Sequence, residues 1–131
     1  MKLRIRSDSI RLRLSQAEVA QIGAGKAVLE STRFLNGSRF DYVMEPSTEA
    51  KKIEALMIEN KIIVRVPNNE AKTWAVSNEV AMKFQQDIPN DKEKLFILIE
   101  KDFACLKTRE NENEDESDLF ANPNAHKGSC G

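Results

Sequence analysis

The sequence predicts a mainly β (α+β) fold: about eight strands in an antiparallel curled sheet or barrel, with two short helices. Three observations carry this. The chain of 131 residues, 40% hydrophobic and 31% charged, has the ordinary composition of one globular domain. Apolar residues alternate with polar ones at period two through several short segments separated by turn residues, the pattern of half-buried strands joined as hairpins. A shift of 52 residues lays Ile10-Arg11-Leu12-Arg13-Leu14 on Ile62-Ile63-Val64-Arg65-Val66, Glu18 on Glu70, Ile22 on Trp74 and Val28 on Val80. That offset suggests two strand-strand-helix-strand-strand repeats, residues 1–46 and 50–102. Closing their strands into a barrel would remove exposed edges.

The first hairpin is Lys2-Leu3-Arg4-Ile5-Arg6, a turn at Ser7 and Asp8, and Ile10-Arg11-Leu12-Arg13-Leu14. Pairing about that turn sets Leu3 against Leu12 and Ile5 against Ile10 on one face, with Lys2 against Arg13 and Arg4 against Arg11 on the other. Ser15-Gln16-Ala17-Glu18 has the spacing of a capping box and starts a short helix. Gly23 and Gly25 end it. Residues 27–34 and 39–45 read as strands around Leu35-Asn36-Gly37-Ser38, a hairpin signal. Burial favours a register with Phe40 opposite Phe34 and Tyr42 opposite Thr32.

Residues 50–58 fit either a helix face or a strand. The following segment decides for a hairpin, since pairing about Glu59 and Asn60 sets Met57 on Ile62, Ala55 on Val64 and Ile53 on Val66, with Glu54 opposite Arg65. Pro67-Asn68-Asn69 opens a second short helix carrying Trp74, and residues 79–85 follow as a strand. Leu95-Phe96-Ile97-Leu98-Ile99 is apolar on both faces and predicts a central strand. The β domain thus spans residues 1–106, and residues 107–131, polar, acidic and without periodicity, form a flexible tail.

Charge is divided between the two ends. Lys2, Arg4, Arg6, Arg11 and Arg13 share one face of the opening hairpin, whereas Glu110, Glu112, Glu114, Asp115, Glu116 and Asp118 crowd the tail. Like charges directly opposite across a ladder destabilise it. The bland solution is a solvated face neutralised by Glu30, Glu45, Glu100 or Asp102. The functional one is a site for an anionic small molecule or for the chain's own acidic tail, because the arginine fork matches phosphate and carboxylate. The second repeat carries Glu54, Leu56, Ile63 and Arg65 at the corresponding positions. The fold pattern therefore does not require the cations. Few aromatic residues and a net charge of −1 argue against a nucleic-acid partner.

No apolar run approaches the ~20 residues of a membrane span, and the charged N-terminal segment lacks the apolar stretch of a signal peptide. The expected compartment is the cytoplasm, with Cys105 and Cys130 as free thiols. A runner-up reading is a small metal-binding protein or metal-dependent, phosphate-directed enzyme. It would join Cys105, His126 and Cys130 with carboxylates around Zn²⁺, although the separation of the cysteines matches no compact zinc motif. No catalytic residue is identified and no other cofactor is expected. A barrel with inward cations invites comparison with triphosphate tunnel enzymes, whose N-terminal Glu-x-Glu-x-Lys strand is here replaced by Lys2-Leu3-Arg4-Ile5-Arg6.

Ser9-Ile10-Arg11-Leu12-Arg13-Leu14, Glu100-Lys101-Asp102-Phe103-Ala104-Cys105-Leu106, the acidic run, and Asn122-Pro123 with Cys130 together resemble a family of small uncharacterised bacterial proteins. The resemblance spans most of the chain. It transfers no activity, cofactor or catalytic residue, and it implies that the tail belongs to the protein. The functional expectation is a non-enzymatic binding module.

Overall fold

The computed structural model describes residues 1–103; the expectations on the acidic tail and on Cys105, His126 and Cys130 lie outside the described residues. The elements are β1 (Lys2–Ile5), β2 (Ser9–Leu14), α1 (Gln16–Gly23), β3 (Val28–Arg33), β4 (Arg39–Ser47), β5 (Glu54–Ile58), β6 (Lys61–Pro67), α2 (Asn68–Val76), β7 (Ala81–Asp87) and β8 (Lys94–Lys101). The mainly β reading and both helices therefore hold.

Local chemistry explains most of these elements. Arg6 N donates to Ser9 O at 3.0 Å across the first turn, and the predicted register follows, from Lys2 opposite Arg13 to Ile5 opposite Ile10. Ser15 caps α1: its hydroxyl accepts from Glu18 N at 3.3 Å while Glu18 Oε1 accepts from Ser15 N at 2.8 Å, the reciprocal capping box. The β5–β6 hairpin pairs Met57 with Ile62, Ala55 with Val64 and Glu54 with Arg65, as expected. The β3–β4 hairpin differs from expectation. Gly37 takes φ +86° and Phe34 N donates to Ser38 O at 2.9 Å, so the loop is Leu35-Asn36-Gly37, a length served by a residue in the left-handed region. Phe40 then faces Thr32, and Tyr42 faces Glu30. Phe34 is left exposed.

The strands do not form one antiparallel sheet or a closed barrel. They form two four-stranded sheets, ordered β1-β2-β8-β7 (sheet A) and β3-β4-β6-β5 (sheet B). The central pair of each is parallel: β2 with β8, and β4 with β6. Each sheet takes one hairpin from each half of the chain. Hairpin pattern fixes the pairing within an arm, and says nothing about which arms become neighbours. The two sheets correspond strand for strand, β1-β2-β8-β7 against β5-β6-β4-β3, and hairpin registers match, Leu3 opposite Leu12 as Ala55 is opposite Val64. In the later strands the equivalent of Val28 is Met82, since Val28 pairs with Met44 as Met82 pairs with Ile99. The alignment with Val80 is corrected accordingly.

One core lies between the sheets. The inward faces of β2 (Ile10, Leu12, Leu14), β6 (Ile62, Val64, Val66) and β8 (Ile97, Ile99) join Val28, Met44 and Met82 in a single buried cluster. The helices carry Val19, Ile22, Ala71 and Trp74 into it. Helix α1 crosses from sheet A to sheet B and α2 crosses back. They meet so closely that a Cβ on Gly23 would lie 2.9 Å from Ala75 Cβ.

Side chains rather than ladders close the gaps between the sheets. At one seam the Gln86 carboxamide of β7 accepts from Ala55 N at 2.7 Å and donates to Ala55 O at 3.0 Å, imitating a strand on the β5 edge. At another, the Met1 ammonium contacts Glu18 and lies 2.9 Å from Glu30 Oε2, while Tyr42 donates to Met1 O at 3.0 Å. Burial opposes ionisation of both Met1 and Glu18, and the hydrogen bonds between them outweigh it. The ammonium is held above its ordinary value and the Glu18 carboxyl below its own.

Candidate functional site

Residues opposite one another in a ladder share a face, so the registers assemble the outer surface of sheet A row by row. One row is Arg4, Arg11, Leu98, Lys83 and the next is Lys2, Arg13, Glu100, Ala81. Four of the cations singled out in the sequence, Lys2, Arg4, Arg11 and Arg13, therefore stand together, and β7 adds Lys83. Arg6 lies beyond β1 in the turn, exposed, beside Ser7 at φ 48°. Lys83 was invisible to hairpin reasoning because its place depends on β7 pairing with β8. Its parity, opposite to inward-facing Met82 and Phe84, was the available signal.

Two of the expected counter-charges lie on this face. Glu100 Oε1 sits 2.6 Å from Arg13 Nε and 2.8 Å from Arg11 Nε. The Arg13 contact is a hydrogen bond, whereas Arg11 Nε is buried at ion-pair distance without hydrogen-bond alignment. One carboxylate thus serves two guanidinium groups. Asp102 Oδ2 is 3.2 Å from Lys2 Nζ. Glu30 is not a counter-charge here: it faces the opposite way, sharing the inward parity of Val28, and holds the Met1 ammonium. Glu45 belongs to sheet B, where it accepts from Arg65 Nε at 3.1 Å.

The two-sheet correspondence separates structural from particular charges. Arg65 opposite Glu45 in sheet B occupies the position of Arg13 opposite Glu100 in sheet A. An arginine–glutamate pair at this point of the parallel ladder is thus common to both sheets. The row Arg4, Arg11, Leu98, Lys83 is not: its counterpart in sheet B is Leu56, Ile63, Val43, Leu29. The same backbone positions carry three cations on one side of the molecule and none on the other. Phe96, about half exposed, borders the cationic row.

A groove of about 490 Å³ lies at the helical end, lined by Leu14, Val19, Ala20, Ala75, Lys101, Asp102 and Phe103 among others. Its titratable groups are Lys101 and Asp102, which do not compose a nucleophile and base. Among the described residues no group of three His, Cys, Asp or Glu could hold a metal ion. No helix among them is long and apolar enough to cross a membrane.

A family model described as "Family of unknown function (DUF7009)" matches residues 1–124. The match takes in the Ser9–Leu14 strand, the acidic run and Asn122-Pro123, and stops short of His126 and Cys130. No curated protein and no solved structure matches the chain.

Proposed function

The chain belongs to the family of unknown function DUF7009, and we propose that it is a non-enzymatic binding module whose cationic sheet A face receives an extended anionic partner. The observation that carries this reading is the row Arg4, Arg11, Lys83, whose counterparts in sheet B are all apolar. The fold does not need those charges. Like charges held on adjacent strands about 4.8 Å apart favour an anion laid across them. Glu100 is already divided between Arg11 and Arg13. The face is an open sheet surface, which suits a chain-like polyanion better than an enclosed small molecule.

The partner is either external or the acidic segment of residues 107–131. Asp102, paired with Lys2, borders this face, and Phe103 beside it is the last described residue. Calorimetry with long-chain inorganic polyphosphate and with a polyglutamate peptide at about 50 mM salt tests the reading. Wild-type protein binds at least one probe, Arg4→Glu with Arg11→Glu abolishes it, and removing residues 107–131 strengthens it if the segment competes. A wild type and a truncated chain that both bind neither probe overturn the proposal.

A further inference from the structure

The outer surface of sheet B carries an uncovered apolar row running straight across all four strands: Leu29, Val43, Ile63, Leu56. Leu29 is 56% exposed, and Ile58 beside the row 51%. Charge flanks it in an ordered way. From β4, Val43 and Glu45 point outward, and from β6, in register, Ile63 and Arg65, with Lys61 beyond Ile63; Asp41, opposite Lys61, is buried and held by Arg39 at 3.0 Å. An acid on one strand thus stands beside a base on its parallel neighbour at the same end of the apolar row. We propose that this face is an interface with a second copy of the chain, related by a two-fold axis running along the strands between β4 and β6.

That axis sets β4 of each protomer over β6 of its partner. Row then lies on row, with Val43 against the partner's Ile63 and Leu29 against the partner's Leu56, while Glu45 meets the partner's Arg65. Each contact occurs twice, as an isologous interface requires, and the strands pack near-aligned, the usual geometry of two facing sheets. The other in-plane axis, running along the row, would set Arg65 over the partner's Lys61. Charge therefore selects one arrangement. Four strands at about 4.8 Å and three outward rows at about 6.8 Å give roughly 400 Å² of face per protomer. That is about half the usual specific interface, so the association is weak and reversible.

Sedimentation velocity on the full chain from about 5 µM to 1 mM tests this, with expected concentration-dependent dimers. Leu29→Lys with Leu56→Arg copies the charges that sheet A carries at the equivalent positions, so the variant folds, and it sediments as a monomer throughout. Arg65→Glu alone and Glu45→Arg alone each dimerise at least fivefold more weakly than wild type. An equimolar mixture of those two variants recovers the dimer, because the acid-only face of one fits the base-only face of the other. A wild type monomeric at 1 mM, or dimers that persist in Leu29→Lys with Leu56→Arg, overturns the proposal and leaves the row to an apolar partner of another kind. A mixture that fails to recover the dimer overturns the axis.

Discussion

Exchanging one methyl group between the two helices tests the packing of the whole molecule. Gly23 closes α1 and Ala75 occupies the equivalent place on α2, and a Cβ at Gly23 would come 2.9 Å from Ala75 Cβ. Methyl carbons rest about 1 Å farther apart, and neither carbon hangs on a flexible stem that could turn aside. The Gly23→Ala variant must separate the helices, a strain of about 1–3 kcal/mol, against which alanine's better helix propensity returns about 0.5–1 kcal/mol. The net is a loss of about 1–2 kcal/mol, or a melting point lowered by roughly 5–15 °C for a domain of this size. Gly23→Ala combined with Ala75→Gly moves the methyl group to the other side of the contact and relieves the clash. A double-mutant cycle read by urea denaturation should then give a coupling of about 1–2 kcal/mol. If Gly23→Ala is neutral or stabilising, the helices are not in contact through these residues, and the account of how α1 and α2 close the end of the core is wrong.

Gln86→Leu removes both bonds to Ala55 and leaves a backbone N–H and C=O on the β5 edge, so denaturation should show a loss of about 1–3 kcal/mol. Stability should also depend on pH at both ends of the range. The Glu18 carboxyl titrates below its ordinary 4.5 when folded, so its contribution is present above that value and is lost as pH falls through the folded pKa. The Met1 ammonium titrates above its ordinary 8.0, so its contribution is present below that value and is lost as pH rises through the folded pKa. Denaturation midpoints across pH 3 to 10 should therefore peak between these limits, and Glu18→Gln should flatten the acid limb; an unchanged acid limb would show that other carboxylates govern it. Glu100→Gln removes the negative charge shared by Arg11 and Arg13 and should tighten polyphosphate binding several-fold by calorimetry, opposite in sign to arginine reversal. Weaker binding would mean that Glu100 positions the arginines for the partner.

The parts of this fold legible in the sequence are those fixed by neighbours along the chain. The first and third hairpins kept their registers because two-residue turns and alternating side chains leave little freedom, and the Ser15 and Glu18 spacing gave the helix start. The β3–β4 register departs from the one that would bury Phe34 because the three-residue loop that Gly37 completes sets it. The parallel pairing of β2 with β8 joins residues some ninety apart in sequence, and alternation is silent about such partners. That pairing decides the site, since it delivers Glu100 and Lys83 to the arginines. Glu30 and Gln86 carry a signal in the sequence itself. Each shares the parity of apolar inward residues, Val28 and Phe84, and a polar side chain at such a place predicts a buried partner. The role of the Met1 ammonium had no side-chain signature.

The split of each sheet between the two halves of the chain has a consequence for how the protein comes to be folded. The hairpins β1–β2 and β5–β6 can form from a few neighbouring residues, but sheet A lacks its middle until β8, Lys94–Lys101, is available to β2. During synthesis, one long edge of β2 waits unpaired while about eighty further residues emerge, for several seconds at ordinary elongation rates. Sheet B is completed earlier, once β6 reaches β4. All four strands of sheet B are thus synthesised before sheet A has its middle. The strand left waiting, Ser9–Leu14, bears arginine at every second position between its apolar residues, and charge of one sign keeps such an edge from joining another copy of itself.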